Sequence, residues 1–379
     1  MLYRRVVAER IKESLMQSGK VTLLYGPRQA GKTTLANQVI AECGLKTVQI
    51  NADQTKYQEL LSEPDLPKLA GVVEGYELLF IDEGQRVPNL GLTLKILHDE
   101  LPGLKILVTG SSSFLLSASV TESLAGRKRV FTLLPIAEQE LAYSLNTYER
   151  SELLDQRLIF GSYPEVLTTL NIKDKEEYLR DITDSLIMKD ILELETIRYP
   201  LKIRALLRLL GFQIGSQVSI NELCTQLGIN RETTERYIFL LEKAFIIFKL
   251  PALSRNPRKE VTKSQKYYFF DNGIRNIVTE QLNALPYRND TGALWENFIV
   301  SERFKYLQYN RITTNSYFWR SYSGVEIDYV EERQGNLSAY EIKYKKGKVR
   351  VPALWESLYG GDFHLVNRDN YSAFLLPGD

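Results

Sequence analysis

The chain has 379 residues, of which 44% are hydrophobic and 25% charged, and its formal net charge is +1. This length accommodates two or three domains, and the balanced composition excludes a disordered or fibrous chain and a surface that is basic throughout. Its two cysteines exclude a disulfide framework or a cysteine-rich metal site, and they predict a reducing, cytoplasmic location. The first residues, MLYRRVVAERIKESL, predict a charged amphipathic helix rather than a signal peptide, and no apolar run predicts a membrane span.

Five apolar runs alternate with helical stretches in the first part of the chain. They comprise residues 21–25, 47–50, 77–82, 104–110 and 128–134. Buried strands that alternate with helices predict an α/β fold, with a parallel sheet covered on both faces. The ligand of such a sheet binds at the carboxyl ends of its strands.

A phosphate-binding loop follows the first predicted strand. It consists of Gly26, Pro27, Arg28, Gln29, Ala30, Gly31, Lys32, Thr33 and Thr34, and a predicted helix follows it. The two glycines allow backbone N–H groups to surround a phosphate chain. Lys32 can reach the β- and γ-phosphates, and the Thr33 hydroxyl can ligate Mg²⁺. The loop therefore predicts a site for ATP and Mg²⁺, since a chance match rarely occurs between a strand and a helix.

The next two predicted strand ends also carry polar residues. Asp82 is suited to bind Mg²⁺, and Glu83 can polarise the attacking water, although such pairs also cap helices. After the following strand, the Ser111 hydroxyl or a neighbouring one, such as that of Thr109, could sense the γ-phosphate or cap a helix.

Arg127 follows a glycine in a predicted loop. It could reach the phosphate of a neighbouring subunit as an arginine finger, which would require a homo-oligomer such as a ring or a dimer. A solvated surface arginine is the alternative.

Several motifs together resemble one group of proteins. The segments GPRQAGKTTL, LLFIDEGQ, LVTGSSSFLL, SLAGR and GSYPEVL look like those of prokaryotic AAA+-superfamily ATPases that carry a C-terminal domain of unknown function. The resemblance extends over nearly the whole chain and implies ATP binding and hydrolysis. It implies an ATPase domain over residues 1–145 and a small helical lid over 146–200, although no second-sensor arginine typical of AAA+ proteins is evident.

Residues 201–271 have the pattern of a winged helix. Three predicted helices, the last two joined by Gly228-Ile229-Asn230, precede a strand, a basic segment and a return strand. This pattern predicts DNA binding, with a module that packs between domains as the alternative. The predicted contacts are Arg231, Thr233, Thr234, Arg236 and Tyr237 in the groove, and Arg255, Arg258, Lys259 and Lys263 on phosphates.

Residues 272–379 contain the elements of a nuclease site. A predicted amphipathic helix at 292–307 carries Glu296, and a predicted hairpin carries Asp328 on one strand and Glu341 and Lys343 on the next. Strand alternation places Glu341 and Lys343 on one face, where two carboxylates and a lysine could bind Mg²⁺ and polarise a phosphodiester. An edge hairpin with alternating charges is the alternative.

The order of these four residues resembles the PD-(D/E)XK restriction-endonuclease and Holliday-resolvase superfamily, although Ile327 stands where that superfamily usually has proline. The resemblance implies a nuclease-like α/β fold for the last part of the chain.

Two functions are therefore open. In the first, ATP hydrolysis drives a winged helix and a nuclease-like domain on duplex or branched DNA. In the second, the nucleotide state controls conformation or assembly, and the C-terminal domain is an inactive nuclease fold used for binding.

Overall fold

The structure, a computed structural model, describes residues 3–110, 122–191, 197, 199–254, 265–347 and 349–376. These residues belong to two compact units. One unit comprises Leu2–Pro135 and Ser185–Thr196, and the other comprises Ile136–Asp184 and Ile197–Asp379. No helix of the described residues is both long enough and apolar enough to cross a membrane.

The first unit contains a parallel sheet of five strands in the order β2-β3-β4-β1-β5. The strands are β1 Val21–Tyr25, β2 Thr47–Asn51, β3 Leu78–Asp82, β4 Lys105–Gly110 and β5 Lys128–Thr132. Every residue of β1 is buried, as expected for a central strand covered by helices. The predicted α/β fold with a parallel sheet is confirmed for this unit.

Helices of the first unit lie before, between and after these strands along the chain. They are α1 Ala8–Gln17, α2 Lys32–Cys43, α3 Thr55–Ser62, α4 Leu66–Val73 and α5 Leu90–Glu100, with a 3₁₀ turn at Gly84–Arg86 and a π-helical turn at Leu186–Ile191. Helix α2 begins directly after Gly31, and its first N–H groups therefore lie at the carboxyl end of β1.

Of the helices in the described ranges, most belong to the second unit. They are α6 Glu138–Leu141, α7 Thr147–Phe160, α8 Pro164–Thr168, α9 Ile172–Ser185, α10 Pro200–Phe212, α11 Ile220–Leu227, α12 Arg231–Lys243, α13 Asn272–Val278, α14 Thr291–Tyr309, α15 Ala353–Leu358 and α16 Tyr371–Leu375, with a 3₁₀ turn at Leu285–Tyr287. Several of these helices begin at a residue whose side chain caps the first N–H groups. For example, the Asn230 side chain accepts the Thr233 N–H at 2.8 Å at the start of α12.

Two small sheets complete the second unit. The first has the order β6-β8-β7 and consists of Gln217–Val218, Gln265–Phe269 and Ile247–Pro251, paired antiparallel. The other has the order β12-β11-β10-β9 and consists of Asp362–Val366, Asn336–Ile342, Glu326–Arg333 and Asn315–Arg320. Strands β10 and β11 form the predicted hairpin, and its turn residues Gln334 and Gly335 have φ of 50° and 82°.

Helix α14 is present where the sequence predicts it, but the prediction that it is amphipathic is wrong. Its buried positions lie on all sides of the helix and include Glu302 and Lys305, which are 2% and 1% exposed. Glu302 accepts hydrogen bonds from Arg157 at 3.1 Å and from Lys305 at 2.9 Å. The sequence suggests that Glu302 and Lys305 face solvent, because the buried partner Arg157 lies 145 positions away from Glu302 and no local pattern reveals it.

Candidate functional site

The phosphate-binding loop connects β1 to α2 and depends on its glycines. Gly26 has φ of 153°, and a Cβ atom at this position would lie 1.9 Å from the Leu133 carbonyl oxygen. Gly31 has φ of 94° directly before α2. Both backbone positions disfavour a residue with a side chain. Glycine therefore lets the loop approach the segment after β5 at Gly26 and turn into α2 at Gly31.

Lys32 spans this loop. Its Nζ donates to the Gly26 carbonyl at 3.0 Å and to the Pro27 carbonyl at 2.8 Å, and the residue is only 5% exposed. The ammonium group therefore lies against the loop itself, where a bound phosphate would be surrounded by the N–H groups.

Asp82 at the end of β3 contacts hydroxyls from two neighbouring segments. The Thr33 hydroxyl lies 3.0 Å from Asp82 Oδ1 and 2.9 Å from Oδ2. The Thr109 hydroxyl at the end of β4 also donates to Asp82 Oδ1. The structure thus brings together the predicted Mg²⁺ ligands Thr33 and Asp82, and Thr109 supports the carboxylate.

Glu83 follows Asp82 with a left-handed backbone, at φ of 56° and ψ of 40°. Its N–H donates to the Thr109 hydroxyl at 3.3 Å, and its carboxylate accepts a hydrogen bond from Gln85. The next residue must be small, because a Cβ at Gly84 would lie 2.5 Å from Val108 Cγ1. These contacts hold Glu83 beside Asp82, one of the two predicted Mg²⁺ ligands.

Arg5 supports the loop and was missed by the sequence reasoning. Its guanidinium is buried and donates to the Ala30 carbonyl at 2.8 Å and to the Leu134 carbonyl at 2.5 Å. It thereby connects the phosphate loop to the segment after β5. No local pattern could indicate this role, because Leu134 lies 129 positions away.

The structure does not bring Arg127 to the phosphate loop of its own chain. The Arg127 carbonyl accepts the Val21 N–H at 2.9 Å, which places it at the amino end of β1, whereas the loop follows the carboxyl end. Arg127 Nε donates to Asp99 at 2.8 Å, and this contact, followed by that of His98, lowers the pKa of the Asp99 carboxyl. The predicted sensor Ser111 lies outside the described residues.

The predicted DNA-contacting residues of α12 divide into two groups. Arg231 and Arg236 are exposed, and Arg231 pairs with Glu235 at 2.8 Å. The prediction that Thr234 and Tyr237 face a DNA groove is wrong, since both are buried on the inner side of the helix. Residues at spacings of three and four pack on the core. The predicted phosphate contacts Arg255, Arg258, Lys259 and Lys263 lie outside the described residues.

Asp328 and Glu341 lie on the paired strands β10 and β11. Asp328 Oδ2 accepts the Ile342 N–H at 2.8 Å, and Lys343 Nζ lies 2.6 Å from Glu341 Oε1. Burial, and then the Asp328 charge, raise the pKa of Glu341, so the two carboxylates influence each other. The hairpin therefore brings together three of the four predicted residues.

Glu296 of α14 contacts Lys266, another residue that sequence reasoning missed. Lys266 is fully buried, and its Nζ lies 3.1 Å from Glu296 Oε1 and 2.6 Å from Glu326 Oε1. The Tyr268 hydroxyl donates to Glu296 at 2.6 Å. The only local signal for this contact is that a lysine begins the apolar run KYYFF. A lysine in a buried strand needs a charged or polar partner.

Burial shifts the pKa of these acids upward. It raises the pKa of Glu296 to about 7, although Lys266 opposes the shift, and it raises the pKa of Asp328. In the described part of the chain, no group of three or more histidine, cysteine, aspartate or glutamate side chains is arranged to hold a metal ion. The structure therefore does not place Glu296, Asp328 and Glu341 as the joint metal ligands that the sequence predicts.

Three regions of the chain match known families. Residues 18–142 match an AAA domain, residues 151–284 match a domain of unknown function (DUF8612), and residues 291–353 match another (DUF4143). The AAA match covers the parallel sheet, the phosphate loop and the Asp82-Glu83 strand end.

Similar proteins occur in both bacteria and archaea. An uncharacterized protein of Mycobacterium tuberculosis is 29% identical, covering 100% of this chain and 81% of the relative. An uncharacterized protein of Methanocaldococcus jannaschii is 28% identical over 75% of this chain and 66% of the relative. A solved Walker-type ATPase of Pyrococcus abyssi is similar at 18% identity and a TM-score of 0.48, covering 73% of this chain and 96% of the other. The family match, sheet and loop together support an AAA-type ATPase domain over residues 18–142, ahead of two regions that match domains of unknown function.

Proposed function

We propose that the chain binds ATP with Mg²⁺ and hydrolyses it. The observation that carries this proposal is the contact of the Thr33 hydroxyl with both Asp82 oxygens, at 3.0 and 2.9 Å, beside the N-terminus of α2. A hydroxyl and a carboxylate are oxygen ligands of the kind that Mg²⁺ prefers next to a nucleotide. Bound there, Mg²⁺ would neutralise charge on the β- and γ-phosphates.

The side chains around this site have separate tasks. Lys32 exchanges its loop carbonyls for the β- and γ-phosphate oxygens, and Glu83 orients the attacking water. Thr109 holds Asp82 in place. Arg127 lies at the opposite end of its own sheet, and we therefore assign it to the phosphate of a neighbouring subunit in a ring or dimer. Ser111 stays a predicted sensor.

Two variants test the ATPase proposal. Glu83→Gln should retain ATP binding and lose at least about 100-fold in turnover, because the water is no longer activated. Lys32→Ala should lose nucleotide affinity as well as turnover. The exposed Glu74→Gln is the matched control for Glu83→Gln. Binding is measured with a fluorescent ATP analogue and turnover by phosphate release. Normal turnover in Glu83→Gln would refute its role.

We also propose that the protein acts on DNA, through a winged helix over residues 201–271. In support, a short turn joins helices α11 and α12, as a helix-turn-helix requires, and Arg231 and Arg236 are exposed on α12. The predicted Arg255, Arg258, Lys259 and Lys263 would add phosphate contacts. In this proposal an ATPase domain over 1–145 and a helical lid over 146–200 precede the winged helix, and a nuclease-like domain over 272–379 follows it.

ATPase stimulation tests the DNA proposal. Duplex, single-stranded and four-way-junction DNA are compared at several salt concentrations, in the parent chain and in the Arg231→Ala/Arg236→Ala variant. Stimulation that is lost in the variant and weakens with salt supports DNA contact by α12. Equal stimulation of the parent chain and the variant would show that Arg231 and Arg236 do not contact DNA.

A second candidate function is a nucleotide-controlled switch whose nuclease-like domain binds without cleaving. The observation that favours it is the fully buried Lys266 ammonium among the predicted metal ligands. Incubation with Mg²⁺ or Mn²⁺ and linear or branched DNA separates the candidates. Metal-dependent cleavage that Asp328→Ala abolishes would favour a nuclease.

A further inference from the structure

Four carboxylates of the second unit lie around one lysine. We call Glu296, Glu326, Asp328 and Glu341 the carboxylate cluster; they come from α14, β10 and β11. Lys266 comes from β8 in the other small sheet, and it contacts Glu296 at 3.1 Å and Glu326 at 2.6 Å. Burial lowers the pKa of Lys266, but the charges of Glu296, Glu326 and then Asp328 outweigh it and raise the pKa.

Each carboxylate already has a donor from the protein. Glu296 accepts from Tyr268 at 2.6 Å, and Asp328 accepts from the Ile342 N–H at 2.8 Å. Glu341 pairs with Lys343 at 2.6 Å, and Glu326 lies 3.6 Å from Arg320. A magnesium-type ion needs several carboxylate or water oxygens in octahedral geometry. In the cluster, one oxygen of each carboxylate already accepts from a protein donor: Glu296 Oε1, Glu326 Oε1, Asp328 Oδ2 and Glu341 Oε1.

The backbone of Gly215 lies close to the other oxygen of Glu296. A Cβ at Gly215 would lie 2.8 Å from Glu296 Oε2, and the φ of +71° also favours glycine there. Lys266 is fully buried, and a buried ammonium needs close anionic partners. A divalent cation beside it would meet a like charge at short distance in a low-dielectric environment. The residues therefore do not fit the metal that a PD-(D/E)XK fold implies.

We propose that the Lys266 ammonium replaces the divalent cation in the carboxylate cluster, so that the C-terminal domain is a binding fold without metal chemistry. The proposal rests on the nuclease-like fold proposed above. It identifies Lys266 as the residue that separates this chain from a metal-dependent nuclease. Removal of the ammonium should leave an anionic, oxygen-rich cavity that accepts a divalent cation.

Binding of Mn²⁺, followed by electron paramagnetic resonance of the free ion, tests this directly. The full-length chain carries Asp82→Asn throughout, which removes the proposed ATPase metal ligand. With Lys266 present, we expect no Mn²⁺ binding that depends on Asp328 at millimolar concentration. Lys266→Met should bind one Mn²⁺ at least about tenfold more tightly, and further Asp328→Asn should abolish that binding.

Lys305→Met is the matched control, because Lys305 is also buried and pairs with Glu302 at 2.9 Å outside the carboxylate cluster. It should gain no Mn²⁺ site. A folded Lys266→Met chain without Mn²⁺ binding would overturn the proposal. Mn²⁺ bound in the presence of Lys266 and lost with Asp328→Asn would overturn it too, and this comparison does not require Lys266→Met to fold. ATP hydrolysis in chains with Asp82 reports on the ATPase proposal independently.

Discussion

The phosphate site and the carboxylate cluster both combine acidic residues with a lysine, but they satisfy these charges differently. In the phosphate site, Lys32 donates to backbone carbonyls at 3.0 and 2.8 Å, and Asp82 accepts from hydroxyls. In the cluster, Lys266 forms ion pairs at 3.1 and 2.6 Å. Backbone carbonyls and hydroxyls contact the charged groups of the first site, whereas in the second a buried lysine contacts two carboxylates directly.

This difference shows that residue types alone do not define a metal site. A ligand binds where weak protein contacts can be exchanged for stronger ones, as with a lysine on backbone carbonyls. Ion pairs buried in the protein are exchanged only at a large desolvation cost. Three substitutions test this difference, two in the phosphate site and one in the carboxylate cluster.

The largest effect is expected from Gly26→Ala in the phosphate loop. A Cβ there would lie 1.9 Å from the Leu133 carbonyl oxygen, and the backbone φ of 153° disfavours a side chain. The loop must move, and we expect nucleotide affinity to fall by at least about 100-fold, or about 2.8 kcal/mol. Titration with a fluorescent ATP analogue measures this.

The control for this prediction is Gly19→Ala, where φ is +59° but nothing lies within 4 Å of the added Cβ. It carries the backbone strain without the collision. Equal affinity of Gly26→Ala and the parent chain would show that the loop does not need its close approach to Leu133.

An intermediate effect is expected from Arg5→Met. The change removes donors from the Ala30 and Leu134 carbonyls, and unsatisfied buried acceptors cost about 1–3 kcal/mol. Since Ala30 belongs to the loop, we expect ATP affinity to fall about tenfold. The exposed Arg4→Met serves as control. An unchanged affinity, with lower thermal stability alone, would restrict Arg5 to a structural role.

The last effect is on folding stability rather than on nucleotide affinity, and its pH dependence tests the burial of the carboxylate cluster. Burial raises the pKa of Glu296 from 4.5 to about 7 in the folded chain. Between these values the folded state holds a proton that the unfolded state has released, and stability therefore falls as pH rises through this window. Glu296→Gln removes this contribution. The loss of unfolding free energy between pH 4.5 and 7 should therefore be about 3 kcal/mol smaller in the variant than in the parent chain.

Tryptophan fluorescence during urea unfolding measures this change, because Trp295, Trp319 and Trp355 all lie in the second unit. The exposed Glu356→Gln is the control. Parallel pH profiles for the parent chain and Glu296→Gln would contradict a raised pKa for Glu296.

The sequence predicted those parts of the structure that depend on neighbouring residues. The five strands of the parallel sheet, the phosphate loop and the β10–β11 hairpin were all predicted, since apolar runs, glycines and turn residues act over a few positions. The predictions for α14 and for Thr234 and Tyr237 were wrong, because charged and polar side chains were assigned to the surface. Tertiary partners place them inside instead.

Local pattern and chemistry thus specified an α/β nucleotide-binding fold and the identities of Lys32, Thr33 and Asp82. The tertiary structure alone decided which charges remain available. Arg5 reaches Leu134 across 129 positions, and Lys266 reaches Glu296 across 30. A sequence cannot show whether a charged side chain faces water, a ligand or a distant side chain. Packing of the whole unit decides which residues come together.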